Sequence, residues 1–341
     1  MGDVELVSKI SKAADRLVTS RTNRRLFLAG VAVAGLTPVA AAAEATIATN
    51  ANNRGGTIMA LQSEEVVTAH YLTVPGARLY YEVSGLGPVL LLIPGGMADA
   101  AGFAPVARFL EENYTVVRYD PRGISHSRLD GPGEDVPVEV HADDARHLLL
   151  AIGNQPAYVL GHSGGAVIGL ALVERHPELV QTYVAHEPPL VELLPEGDER
   201  RNDGQKIYDT YSKEGAGPAM EQFMATAGLD EPAAPVEMSP EAQEFMAQQM
   251  ASMEQNLDFF FAHYLLPVTS YMPDIAALQE ASSRVVVGVG EDSGGQETYD
   301  TALALAERLG TEAVVFSGDH IGMATHPEAF AETLDEVFQD S

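Results

Sequence analysis

Short β-branched runs recur along the chain from residue 66, and helical periodicity fills most of the gaps between them. The runs are Val66–Val74, Arg78–Val83, Val89–Ile93, Tyr114–Tyr119, Ala157–Leu160, Val180–Ala185, Val285–Val289 and Ala313–Phe316. Amphipathic stretches lie at Phe103–Glu111, His141–Ile152, Ala166–Arg175, Thr298–Leu309 and Glu328–Phe338. A helix between two strands returns the chain to its starting edge, so such strands run parallel and need cover on both faces. Between the first two runs only Pro75-Gly76 intervenes as a turn signal, which suits a hairpin. The pattern predicts an α/β fold with a mostly parallel sheet flanked by helices. Residues 188–280 break the rhythm: they hold no strand run, are rich in Met, Gln and Glu, and carry Pro188, Pro189, Pro195, Pro218, Pro232, Pro235, Pro240, Pro267 and Pro273. Helices are expected there at Asp198–Ser212, Ala219–Ala227 and Pro240–Tyr264. This stretch reads as a helical cap over the C-terminal edge of the sheet, inserted into a core of residues 66–187 and 281–341.

Composition narrows the function. Hydrophobic residues make up 46% of the 341, enough for a sizeable core. Acidic residues number 49 against 20 basic, a formal net charge of −29. That balance excludes a nucleic-acid binder and disfavours an anionic membrane surface, both of which need basic residues. Cysteine is absent, so disulfides, thiolate metal sites and cysteine nucleophiles are excluded. His141 and His147 are not at the i, i+4 spacing of a helical metal pair, so with Asp143 and Asp144 they read as a solvated face. Neither a metal nor a cofactor is expected.

The first 43 residues read as an address. Arg24 and Arg25 precede an uncharged Ala/Gly/Val run, and Ala41-Ala42-Ala43 offers a cleavage site before Glu44. The paired arginines resemble a twin-arginine export signal, so an exported protein without stable membrane association after signal removal is expected. Residues 44–65 read as a flexible linker.

Gly161-His162-Ser163-Gly164-Gly165 carries the chemistry. It joins the apolar run Ala157–Leu160 to the helical stretch Ala166–Arg175, the strand–turn–helix context of a G-x-S-x-G nucleophile elbow. The backbone N–H groups of Gly164 and of Gly96, in Pro94-Gly95-Gly96-Met97 after a buried strand, would form an oxyanion hole. His320, in a Gly/Asp loop after the last strand, is placed to serve as base. Two carboxylates compete to orient it. Asp292 follows the strand after the cap, and Glu187 ends the strand before it, fixed by Pro188 and Pro189.

These motifs resemble the α/β-hydrolase superfamily over residues 66–341. Asp120-Pro121-Arg122-Gly123-Ile124-Ser125-His126-Ser127 is similar to its D-x-R-G-x-G-x-S turn, with Ser125 where glycine is usual. The superfamily's usual G-x-x-D acid would be Asp292, which stands one residue early. His186-Glu187-Pro188-Pro189 instead resembles the zearalenone lactonase group, in which the Glu of the same motif completes the triad. Tyr80-Tyr81-Glu82, Gly85-Leu86-Gly87-Pro88 and the segment from Gly318 to Pro327 also resemble that group. Its usual cap tryptophan has no counterpart here, since the chain contains no Trp. The resemblance implies a cofactor-free serine hydrolase of a small-molecule ester or lactone, with a zearalenone-type macrolactone as the group's substrate. A cofactor-free perhydrolase of the haloperoxidase kind would use the same triad, and a ligand-binding receptor on a hydrolase scaffold would keep the pocket with slight turnover.

Overall fold

The computed structural model describes residues 67–131, 133, 135–153, 155–227 and 254–340. The expected export signal and linker lie outside these residues, as does the stretch 240–253 of the third expected cap helix. Among the described residues nine strands form one sheet: β1 (Thr68–Val74), β2 (Ala77–Ser84), β3 (Val89–Ile93), β4 (Thr115–Tyr119), β5 (Arg128–Leu129), β6 (Ala157–His162), β7 (Val180–His186), β8 (Arg284–Gly290) and β9 (Val314–Phe316). Their order is β1-β2-β4-β3-β6-β7-β8-β9, with the two-residue β5 pairing to β2. The β1–β2 hairpin turns at Pro75-Gly76, its last partners being Val74 and Ala77. It joins β4 antiparallel, and every pairing from β4 to β9 is parallel. Strand order reverses direction between β3 and β6, the switch point where open α/β sheets bind ligands beyond their strand ends.

Both faces of the sheet are covered, and strand alternation divides the core in two. Leu91, Ile93, Val117, Val159, Tyr183 and Val287 face helices α2 (Val138–Ile152), α3 (Gly164–Arg175) and α8 (Glu297–Leu309). Leu90, Leu92, Val116, Leu160, Val184 and Phe316 face α1 (Ala104–Leu110) and α10 (Pro327–Gln339). Burying each such aliphatic side chain contributes about 1.5–3 kcal/mol. Helix α3 is buried continuously from Gly164 to Val173, because it stands directly behind the central strands.

Between β7 and β8 the described part of the chain is mainly helical. It forms α4 (Asp203–Glu214), α5 (Ala216–Thr226), a π-helical turn at Phe260–Tyr264, α6 (Leu265–Thr269) and α7 (Ile275–Glu280). A four-residue α9 (Gly322–Thr325) precedes α10. Asn256 ties this insertion to the core: its Oδ1 accepts from the Ser125 N–H at 2.8 Å and its Nδ2 donates to the Met97 carbonyl at 3.0 Å.

The expectation of a solvated face on α2 is corrected at His141 and Asp144, while Asp143 and His147 keep partial exposure. His141 and Asp144 are each only 1% exposed, because their stripe of the helix packs onto the sheet with Ala142, Ala145 and Leu148. Asp144 is tolerated there by a bidentate pair with Arg122, both bonds at 2.6 Å, which also anchors the turn after β4. Removing one partner of such a buried pair strands the other charge. Asp144→Asn is therefore expected to destabilise the fold by about 3–5 kcal/mol, read from urea unfolding. A loss under about 1 kcal/mol would show that the pair does not anchor the turn.

The buried histidines set the acid side of the stability curve. Burial, reinforced by the Arg122 charge, lowers His141 to about 3. Burial also lowers His186 to about 4, despite the opposing Glu187 charge. A base whose folded pKa is depressed binds fewer protons than the unfolded chain once the pH drops below about 6.5, so its contribution falls with pH there. Glu297 acts with the opposite sign: burial first, then the Asp203 charge, raises it to about 7, and its contribution is lost as pH rises through that value. Replacing His141 by Leu should make the stability change between pH 6.5 and 4.5 shallower by about 1.4 kcal/mol per pH unit. An unchanged slope in urea titrations would mean that His141 is charged in the fold.

Candidate active site

Ser163 sits between the end of β6 and the first residue of α3 with φ +54° and ψ −125°. A non-glycine residue holds such a backbone only when its surroundings force it, at a cost of about 1–3 kcal/mol. The forcing contacts are visible. Its N–H donates to the His186 carbonyl at 2.9 Å, and Gly95 from the neighbouring loop packs onto the turn. A Cβ on Gly95 would lie 2.4 Å from the His162 carbonyl oxygen, 2.7 Å from the Gly164 nitrogen and 2.8 Å from the Ser163 Cβ. The loop after β3 can thus approach the serine only as glycine. Gly96 follows with φ +59°, so the Gly95-Gly96 turn and the Gly164 amide are neighbours at the switch point.

Glu187 is the second strained residue, with φ +48°, one position beyond β7 and fully buried. Its carboxylate is met by three donors. Oε2 accepts from His320 Nδ1 at 2.6 Å and from the Thr298 hydroxyl at 3.4 Å, and Oε1 accepts from the Gly290 N–H at 2.8 Å. Burial alone would raise its pKa, but the His320 hydrogen bond and charge and the Gly290 N–H outweigh it and hold the group at about 2. It is ionised at neutral pH. With Nδ1 of His320 committed to this bond, Nε2 is the ring nitrogen left for a serine hydroxyl.

The structure therefore brings Glu187, and not Asp292, to His320. Asp292 lies on the exposed turn after β8, where its backbone N–H donates to the Gly318 carbonyl at 2.9 Å. That bond ties the β8 turn to the loop bearing His320, a bracing role that needs no particular side chain. His186, beside Glu187, points away into the core: its ring packs on Phe316 and Phe330, and its Nδ1 lies 3.2 Å from His162 Nδ1. His162 packs on His320, ring centroids 4.5 Å apart, and burial keeps His162 neutral.

Two further residues reach this cluster. Thr298 reaches both Glu187 and the Nδ1 of His320, the latter at 3.3 Å. Tyr264, from the π-helical turn, is buried against Gly164. Thr298 lies in the first turn of a helix after a strand, as any N-terminal helical residue does, so nothing local marks it. The aromatic turn Phe259-Phe260-Phe261-Ala262-His263-Tyr264 serves mainly as core, with Phe260, Phe261 and Tyr264 all buried. An open groove of about 450 Å³ runs between His263, Phe259 and Arg128 without touching Ser163, Glu187 or His320. No group of three metal-ligating side chains occurs among the described residues.

Known proteins share this architecture. Residues 88–227 match the family described as the α/β hydrolase fold. The uncharacterised hydrolase YraK of Bacillus subtilis (strain 168) is 37% identical over 272 residues, covering 79% of this chain and 95% of the relative. Zearalenone hydrolase of Bionectria ochroleuca is 24% identical over 273 residues, 78% of this chain and 96% of its own. Among solved structures, the enol-lactonase from Burkholderia xenovorans LB400 superposes with a TM-score of 0.58 at 18% identity, covering 79% of this chain and 100% of that one. A thermophilic esterase from Thermogutta terrifontis gives 0.61 at 19% identity, covering 82% and 99%. At such identities these two likenesses speak for the fold alone. With a full-length relative at 37% identity and the sheet order and serine turn described above, the chain belongs to the α/β-hydrolase family.

Proposed function

We propose that the protein is a serine hydrolase that opens carboxylic esters or lactones through an acyl-enzyme. The observation that carries this reading is the buried Glu187–His320 hydrogen bond at 2.6 Å, at the same sheet edge as a serine held in a strained turn. In the first step the Ser163 oxygen adds to the acyl carbon while His320 Nε2 takes its proton. Glu187, ionised, holds the ring and offsets the imidazolium charge. The negative charge on the former carbonyl oxygen falls between the N–H groups of Gly96 and Gly164. Collapse breaks the bond to the alcohol oxygen, which leaves with the proton from His320. Water then attacks the acyl-serine, again giving its proton to His320, and the acid departs. In a lactone the alcohol stays attached to the acyl chain, so one product forms instead of two.

The helical insertion would cover the substrate side as a cap, and its apolar composition, with buried Met220 and Met224, supports an apolar acyl or alcohol group. The Glu at the end of β7 and the relationship to zearalenone hydrolase support a macrolactone as one substrate within that class. The twin-arginine segment supports action outside the cytoplasm. Lysine at both Arg24 and Arg25 is expected to leave the protein inside the cell, as fractionation would read.

Ser163→Ala is expected to lower kcat by about 10⁶-fold, and Glu187→Gln by about 10⁴-fold. Asp292→Asn should stay near the wild-type value. The test is hydrolysis of p-nitrophenyl esters of increasing chain length and of a resorcylic macrolactone by the protein lacking residues 1–43. Turnover of any of them that vanishes with Ser163→Ala supports the reading. Turnover that survives this change, or no turnover of the whole panel, would overturn it.

A further inference from the structure

The two amides assigned to the oxyanion are not the only polar groups at that spot. The Tyr264 hydroxyl lies so close to Gly164 that a Cβ there would sit 2.7 Å from it, and the Gly96 N–H also faces this oxygen. Tyr264 comes from the insertion, in the π-helical turn Phe260–Tyr264, and is 1% exposed. Its hydroxyl makes no hydrogen bond of ordinary geometry among the described residues. Its ring neighbours do not take its proton: Phe260, 5.8 Å away between centroids, has no acceptor, and His141 meets it edge-on at 5.2 Å without a hydrogen bond to the hydroxyl. A buried phenol with an unused proton, placed beside Gly96 and Gly164, is costly in the free protein. A substrate oxygen arriving there would give that proton an acceptor.

We propose that the Tyr264 hydroxyl is the third donor of the oxyanion hole, completing from the cap a site whose other two donors belong to the core. This rests on the serine-hydrolase reading. The hydroxyl keeps its proton throughout, and burial, which raises its pKa, keeps it neutral at working pH. Because the hydrogen bond strengthens as charge develops, it acts on the transition state more than on bound substrate. It also makes catalysis depend on cap placement: without the insertion docked through Asn256, the hole is one donor short. The absence of a side chain on Gly164 is then a requirement of the site, since a Cβ would displace the hydroxyl.

The experiment compares wild type, Tyr264→Phe, Gly164→Ala, their double variant and Ser163→Ala on one p-nitrophenyl ester. It also measures affinity for a trifluoromethyl ketone, whose serine adduct carries the oxyanion. Tyr264→Phe should lose about 10²–10³ in kcat with KM within a few-fold, and a similar factor in ketone affinity. Its Tm should be unchanged or higher, since an unpaired polar group has gone. Gly164→Ala should lose activity too, and the double variant should lose far less than the product of the two. Near-normal kcat and ketone affinity in Tyr264→Phe, with Ser163→Ala inactive, would overturn the third donor and leave the hydrolase reading standing. A fall in kcat matched by a fall in Tm would also overturn it, as a packing effect. Should Tyr264→Phe fail to fold, Gly164→Ala alone decides: undiminished ketone affinity there would count against the proposal. An active Ser163→Ala would instead remove the reading on which it rests.

Discussion

An ionised carboxylate with no solvent exposure organises the C-terminal edge of this sheet. Glu187 is fully buried, and an isolated charge there would be prohibitively costly. It is tolerated because donors arrive from three directions: His320 from the loop after β9, the Gly290 N–H from the end of β8, and Thr298 from α8. Each donor is useful only if its element is in register with β7, so the charge demands the correct packing of the whole C-terminal half. The same requirement fixes the imidazole tautomer and leaves Nε2 outside the bond to Glu187, so one arrangement satisfies the buried charge and orients the ring.

Backbone strain is concentrated at the same edge. Among the described residues, the non-glycine positions with positive φ are Ser125, Ser163 and Glu187, following β4, β6 and β7. Each is held by contacts from a neighbouring element. Ser125 donates its N–H to Asn256 and its hydroxyl to Asp99 at 2.7 Å, which explains how a serine stands where the superfamily turn favours glycine. Ser163 is pressed by the glycine loop after β3, and the Glu187 N–H donates to the Gly288 carbonyl at 3.0 Å. Some of the stability gained from two covered sheet faces is spent on these turns, as active sites commonly require.

Much of this was legible in the residues. Strand β3 matches its expected bounds, and the other long strands and core helices lie within a few residues of theirs, because their hydrophobic periods are uninterrupted. The two-residue β5, the short α6, α7 and α9, and the 3₁₀ start of the first insertion helix at Glu199–Asn202 were missed, being too short for a period to show. The serine and histidine stood out through motif and context. Glu187 and Asp292 look alike in sequence because both follow strands; they differ in depth, Glu187 buried against His320 and Asp292 exposed, and depth is a property of the assembled sheet. His141 and Asp144 misled for the same reason, since only the Arg122 partner makes a buried aspartate tolerable. Tyr264 could not be assigned from a run of aromatics that also packs a core.

The central claim is that Ser163 becomes covalently acylated. The most direct measurement is the mass of the protein and of its Ser163 peptide after rapid acid quenching with a p-nitrophenyl ester. One acyl adduct per chain, located on Ser163 and absent in Ser163→Ala, is the expected result. Multiple turnovers with no adduct at any quench time, or an adduct on another residue, would contradict it.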